Sequence, residues 1–185
     1  MFVNRVAELD ILEKRFASEQ AEFFVLYGRQ RVGKTELLAR FCEGKRAVFF
    51  VADLGSEISQ RAALSSAVNA VLFGPNQMNA VYASWEDLFR AVGQAAQTER
   101  LVVVLDEFPY LVEADPELPT LLQREWDVRL QHTRIFLVLS GSIQSVIQQQ
   151  VLDPTAPLYR RHTWPFELKP LALADLPAFF PRYAA

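Results

Sequence analysis

Apolar residues in this chain come in short blocks, and the blocks alternate between two spacings. Residues 22–27, 47–51, 101–105 and 134–139 are nearly continuous runs rich in Phe, Val and Leu, the pattern of strands buried on both faces. A shorter run at 164–168 suits a fifth strand. Between the strands, apolar residues recur three or four positions apart, as on one face of a helix. Val6, Leu9, Leu12 and Phe16 give an inward face to a helix over 6–18, and Ile58, Leu64, Val68 and Leu72 do the same over 57–73. Further helices are predicted over 34–42, 84–97, 116–131 and 173–180, with a polar helix or turn over 142–150. Gly44 and Gly74-Pro75-Asn76 break the chain, and Ser84 with Asp87 three residues on reads as a capping box.

Strand–helix alternation with strands apolar on both faces predicts an α/β domain, a parallel sheet covered on both sides. No internal repeat, low-complexity segment or linker is seen before residue 150. The Pro-rich stretch 153–170 is irregular and suits a lid or sensor loop.

The candidate chemistry begins between the first strand and the helix after it. Residues 28–35 read Gly28-Arg29-Gln30-Arg31-Val32-Gly33-Lys34-Thr35, a complete G-x-x-x-x-G-K-[ST] phosphate-binding loop. Gly28 and Gly33 let successive backbone N–H groups converge on an anion. Lys34 is suited to the β- and γ-phosphates and Thr35 to Mg²⁺, while Glu36 opens a helix whose N-terminus favours negative charge. Arg29 and Arg31 are expected to face solvent. The strand at 101–105 delivers Asp106 and Glu107 to the ligand edge of the sheet. Asp106 suits a Mg²⁺ ligand acting through water, and Glu107 suits orientation or deprotonation of a water in line with the γ-phosphate. Ser140, at the end of the fourth strand, has two equal readings: a hydroxyl reaching the γ-phosphate or its water, or part of an ordinary Ser-Gly turn. Arg160 and Arg161 read either as solvated residues or as donors to charge on the γ-phosphoryl, with the solvated reading slightly favoured for Arg160. His132 and His162 have no ligand partners at metal-binding spacing and are expected at the surface.

Composition narrows the picture. The 185 residues suffice for one sizeable core, and 51% are hydrophobic, yet no run approaches the ~20 apolar residues of a membrane span. Met1-Phe2-Val3-Asn4-Arg5 lacks the apolar stretch of a signal peptide. Cys42 is the single cysteine, which excludes an intrachain disulfide and a cysteine metal cluster; it is expected as a small core residue, in a reducing cytoplasm. A net charge of −3 gives the chain no general attraction for nucleic acid.

Taken together, these segments resemble the archaeal-type ATPases of the STAND branch of AAA+-like proteins. Phe2 to Leu9 resembles their opening F-x-x-R-x-x-E-L, residues 28–35 their Arg-rich Walker A, and Leu105 to Leu111 their Walker B. Leu139-Ser140-Gly141-Ser142 resembles their sensor 1 region, and Pro157-Leu158-Tyr159-Arg160-Arg161 with Leu168-Lys169-Pro170-Leu171 resembles their P-L-Y-G-R … L-x-P-L stretch. The chain departs from that pattern at Arg160, where the family usually has Gly.

The resemblance implies a P-loop NTPase three-layer sandwich with a five-stranded sheet in the order 5-1-4-3-2. It implies an ATP and Mg²⁺ site, and hydrolysis used for switching. By analogy Val3, Asn4 and Arg5 lie near the adenine. Residues 1–172 correspond to the ATPase core and 173–185 to the start of a lid helix that the chain cuts short, so slow hydrolysis is expected until a lid, protein partner or neighbouring subunit completes the site. Arg161 is the arginine nearest at hand for the phosphates. A nucleic-acid role is expected only through a further C-terminal region. Three readings stay open: an ATPase, an ATP-binding switch with negligible hydrolysis, and a P-loop kinase.

Overall fold

β1 (Glu22–Tyr27) lies inside a sheet and is covered on both faces: Phe23, Phe24, Val25 and Leu26 are all buried. The computed structural model describes residues 5–74, 80–141 and 147–171. Its elements run α1 (Val6–Phe16), β1, α2 (Lys34–Cys42), β2 (Ala47–Val51), α3 (Glu57–Phe73), α4 (Trp85–Thr98), β3 (Leu101–Asp106), α5 (Phe108–Ala114), α6 (Leu118–Val128), β4 (Ile135–Gly141) and β5 (Trp164–Glu167). The five strands form one sheet in the order β2-β3-β4-β1-β5, and every pairing is parallel. This is the expected 5-1-4-3-2 order.

Alternation along the strands sends side chains to two separate cores. Phe24, Leu26, Val102, Val104, Phe136 and Val138 pack with α1 and α2 through Leu12, Leu37, Leu38 and Phe41. Phe23, Val25, Val103, Leu105, Leu137 and Leu139 pack with α3 to α6 through Leu64, Val68, Leu88, Phe89, Leu111 and Leu122. The result is a three-layer α/β/α sandwich. Parallel register brings the C-terminal ends of β1, β4 and β3 to one edge, with β4 between the other two.

Several local expectations are corrected by neighbours that the local pattern does not contain. Val6 is 75% exposed, because α1 begins there and its inward stripe starts one turn later. Ile58 is 68% exposed in the first turn of α3. That helix buries Gln60, Ser65 and Asn69 instead. Their amides and hydroxyl hold the loops on either side: Gln60 donates to the Asp53 carbonyl, Asn69 to that of Ala80, and Ser65 accepts from the Tyr82 amide. β2 is an edge strand and alternates in burial, since Val48 and Phe50 enter one core while Ala47 and Phe49 are only partly covered on the other face. α5 was not expected at all, although Pro109 at its start is a typical first-turn residue. α6 ends at Val128, followed by a 3₁₀ turn over Leu130–His132. Gln148–Leu152 is a π-helical turn. Residues 142–146 of the predicted helix or turn, the helix at 173–180 and the proposed boundary at 172 lie outside the described residues.

Ser84 caps α4 as its sequence suggests, accepting from the Asp87 amide at 3.1 Å. Cys42 is half-buried, and burial pushes its thiol up to about 11, so it stays protonated and unreactive. No helix among the described residues is long and apolar enough to cross a membrane.

Candidate nucleotide site

The loop between β1 and α2 is shaped by two glycines with different constraints. Gly28 has φ +152°, and a Cβ placed on it would stand 2.4 Å from the Leu168 carbonyl oxygen. The chain leaving β5 runs against the loop here, and the Leu168 amide donates to the Tyr27 carbonyl at 2.7 Å. Gly33 has φ +95° and forms the N-cap of α2; a Cβ there would meet nothing within 4 Å. Gly28 is thus required by a packed neighbour, whereas Gly33 is required by its left-handed backbone at the N-terminus of α2, where anions are favoured.

Lys34 is the first residue of α2 and is buried. Its ammonium donates to the Gly28 and Arg29 carbonyls, each at 3.2 Å, and so bridges the loop from beneath. The exposed Thr35 donates its hydroxyl to Asp106 Oδ2 at 2.5 Å. Asp106 is completely buried at the end of β3, and its Oδ1 accepts the Glu107 amide at 3.0 Å. Glu107 is half-buried and held in the left-handed region, φ +52°. Burial raises its carboxyl above the usual carboxylate range, the Asp106 charge raises it further, and the Lys34 ammonium pulls it back. A non-glycine residue held at positive φ beside a phosphate-binding loop has the backbone strain that tends to collect at functional sites.

Ser140 belongs to β4 and not to a turn, which removes the plain Ser-Gly turn alternative. It pairs with Leu26 of β1, and Asp106 stands level with it one residue beyond the Leu105–Leu139 pair. Its Oγ is fully buried and has no hydrogen-bond partner among the described residues. An orphaned hydroxyl between the loop strand and the Asp106 strand has its hydrogen-bonding capacity in reserve.

The remaining expected site residues divide clearly. Arg29, Gln30, Arg31 and Glu36 are exposed around the loop, with Arg31 at φ +64°. Val32 is partly buried, and its carbonyl accepts from Arg5 at 3.0 Å. Arg5 therefore lies against the loop, but its guanidinium is taken up by protein groups. Val3 and Asn4 lie outside the described residues.

Arg161 is the main correction. It forms a forked ion pair with Asp127 near the end of α6, Nη2–Oδ2 3.1 Å and Nε–Oδ1 3.3 Å. It precedes Thr163, whose amide donates to Phe23 at the start of β1. It thus stands at the N-terminal edge of the sheet, about 17 Å of strand away from the loop, and does not join the site within this chain. Arg160 has φ +63°, a left-handed backbone that glycine adopts without strain. His162 is half-buried rather than superficial, its Nδ1 is buried without a hydrogen-bond partner among the described residues, and burial lowers its imidazole below the ordinary value. His132 is exposed, as expected.

The Leu168 backbone is the contributor that sequence reasoning missed. The only signal available was the Leu168-Lys169-Pro170-Leu171 stretch, which carries no chemistry of its own.

Comparison with known proteins agrees with this geometry. A family model described as an ATPase domain predominantly from Archaea matches residues 2–184. An uncharacterized protein of Methanocaldococcus jannaschii is 31% identical over 182 residues, 98% of this chain and 39% of that protein. An uncharacterized ATP-binding protein of the same organism is 50% identical over 46 residues, 25% of this chain and 78% of its own. Among solved structures, a Walker-type ATPase of Pyrococcus abyssi superimposes with a TM-score of 0.72 at 18% identity, covering 98% of this chain and 57% of that one. The ORC1 protein of Aeropyrum pernix, solved in complex with DNA, gives 0.67 at 18% identity, covering 98% and 49%. These two similarities show the fold alone. This chain spans well under two thirds of the first relative and of both structures.

Proposed function

The chain belongs to this archaeal ATPase-domain family, and from that premise we propose that it binds ATP with Mg²⁺ at the 28–35 loop and hydrolyses it to ADP and phosphate. The observation that carries the proposal is the contact between Thr35 and Asp106, with Lys34 beneath the loop and Glu107 next along the chain. In this reading Val32, Gly33, Lys34, Thr35 and Glu36 line the phosphates through the loop and the α2 N-terminus. Among the described residues no group of three or more His, Cys, Asp or Glu is placed to hold a metal. One hydroxyl and one carboxylate fit Mg²⁺, which keeps several waters and takes further oxygens from phosphate. Thr35 and Asp106 would hold it, and it would supply charge neutralisation on the phosphates.

The protein groups do the rest. Lys34 exchanges its carbonyl partners for phosphate oxygens. Glu107, half-buried and with its basicity raised, holds the attacking water and takes its proton. The Ser140 hydroxyl donates to the γ-phosphate or that water. A water-activating carboxylate at this position favours hydrolysis over transfer to a small acceptor, as a kinase would perform. Turnover serves a switch in the cytoplasm, with residues 1–172 as its core and 173–185 opening a lid.

A second reading, ATP binding with very slow hydrolysis, is favoured by the placement of Arg161 at the far edge. In that case a partner or a second copy supplies the arginine. A phosphate-release assay separates the two readings. Glu107→Gln should keep ATP affinity and lower turnover by ~10²-fold or more. Equal rates for wild type and variant would remove Glu107 from the chemistry.

A further inference from the structure

We infer that Arg5 is a positioning residue that couples the phosphate-facing part of the loop to the chain leaving β5. The inference rests on the proposed ATP site and extends it to a residue whose guanidinium is held by protein groups.

The Arg5 guanidinium is buried, only 6% of the residue being exposed. Nη2 donates to two carbonyls far apart in sequence, Val32 at 3.0 Å and Lys169 at 2.8 Å. Nη1 donates to Glu8 Oε1 at 2.7 Å, which fixes the plane of the fork. The Val32 carbonyl and the Gly33 amide share one trans peptide, so they point in opposite directions. Holding the carbonyl on Arg5 turns the Gly33 N–H to the opposite side of the peptide, at the N-cap of α2, where anions are favoured. A charged donor on the carbonyl also polarises that peptide and strengthens its N–H as a donor. Arg5 thereby aims an amide at an anion without contacting the anion itself.

The same nitrogen holds the Lys169 carbonyl, and Leu168 closes on the other end of the loop at Tyr27 and Gly28. The two ends of the loop are thus tied to one stretch, Leu168–Lys169. A phosphate that orders the loop orders that stretch, and a pull on that stretch turns the Gly33 amide. The coupling must act in both directions, because it is one equilibrium seen from two places.

Calorimetric titration of the full chain with Mg·ATP tests the first part, using wild type, Arg5→Lys, Arg5→Ala, Glu8→Ala and Lys34→Ala. Arg5→Ala should weaken binding by about tenfold or more, the size of effect of losing a charged hydrogen bond. Arg5→Lys should fall between, since an ammonium lacks the planar fork. Glu8→Ala frees the fork that Glu8 holds and should weaken binding in the same direction, by less than Arg5→Ala. Amide hydrogen exchange tests the coupling. In wild type, ATP should slow exchange at 168–171 together with 28–36. In Arg5→Lys it should slow 28–36 only, a separation that a general loss of stability does not produce. Should Arg5→Ala fail to fold, Arg5→Lys decides. Wild-type affinity and wild-type exchange in the Arg5 variants, with binding lost in Lys34→Ala, would overturn the inference and leave the ATP site standing. A wild-type chain that does not bind ATP overturns both.

Discussion

Thr35 and Asp106 meet at 2.5 Å across the end of β4, although β1 and β3 are not neighbours in the sheet. The contact joins the start of α2 to a fully buried carboxylate, whose other oxygen accepts the Glu107 amide. Thr35→Ala should therefore cost about 1–3 kcal/mol of stability in the ligand-free protein, the penalty for a buried acceptor losing a donor. It should also remove the Mg²⁺ dependence of ATP affinity, whereas Thr35→Ser should preserve both. Calorimetry with and without EDTA reads the second effect. An unchanged Mg²⁺ dependence in Thr35→Ala would take Thr35 out of the metal site.

Gly28 has a backbone carbonyl where a side chain would begin. Gly28→Ala must push Leu168 away or distort the loop. The expected loss is about 1–3 kcal/mol of stability, the scale of backbone strain at such sites, together with weaker ATP binding. Thermal melts and titration check both. A variant that melts and binds like wild type would show that the β5 exit does not press on the loop.

Arg161 and Asp127 are both partly solvated, so their pair contributes at most ~1 kcal/mol. Arg161→Ala should leave phosphate release by this chain alone unchanged. If a partner or second copy accelerates turnover and needs Arg161 for it, the variant should lose that acceleration. A fall in the rate of the isolated chain, at unchanged stability, would contradict the placement at the far edge.

Arg160 pays for a left-handed backbone that glycine adopts without strain. Relief of that strain exceeds the extra chain entropy of glycine by a small margin, so Arg160→Gly should stabilise by up to ~1 kcal/mol. ATP affinity should not move. A clear loss of stability would mean that the guanidinium, set 5.6 Å over the Tyr159 ring, contributes more than the strain costs.

His162 predicts a pH dependence. Burial lowers its imidazole in the folded chain, so the folded state resists protonation. As pH falls through about 6.5, the ordinary value, the unfolded chain takes up the proton first, and stability declines. The decline continues down to the lowered folded value and then stops. His162→Phe keeps the edge-on ring contact with Tyr159 and removes the titration. Denaturant melts between pH 7.5 and 5 should show a shallower decline in the variant. Parallel slopes would exclude His162 as the source.

The sequence by itself determined the layers and the loop. Short apolar runs such as Phe23–Leu26 and Leu101–Leu105, rich in Phe and Val, favour strands covered on both faces, and spacing alone identifies Gly28, Gly33, Lys34 and Thr35 as one phosphate-binding unit. These are local properties: a strand's burial pattern and a loop's backbone needs are written within a few residues. The expectations that failed are those that depend on which distant segment lies alongside. Helical spacing assigns Ile58 inward, but it stands exposed in the first turn of α3, and Gln60, Ser65 and Asn69 are buried because loops at Asp53 and 80–82 need their hydrogen bonds.

Arg161 was placed near the phosphates because its segment resembles one that carries an arginine. Only the parallel direction of β5 sends it to the opposite edge, where Asp127 holds it. The union of Thr35 with Asp106 and of Arg5 with Val32 and Lys169 spans 71, 27 and 164 positions. Contacts of that separation leave no periodic trace in the chain. They exist because strand order and parallel register carry the ends of β1, β3, β4 and β5 to one edge, and that is decided by the packed sheet rather than by any residue's own preference.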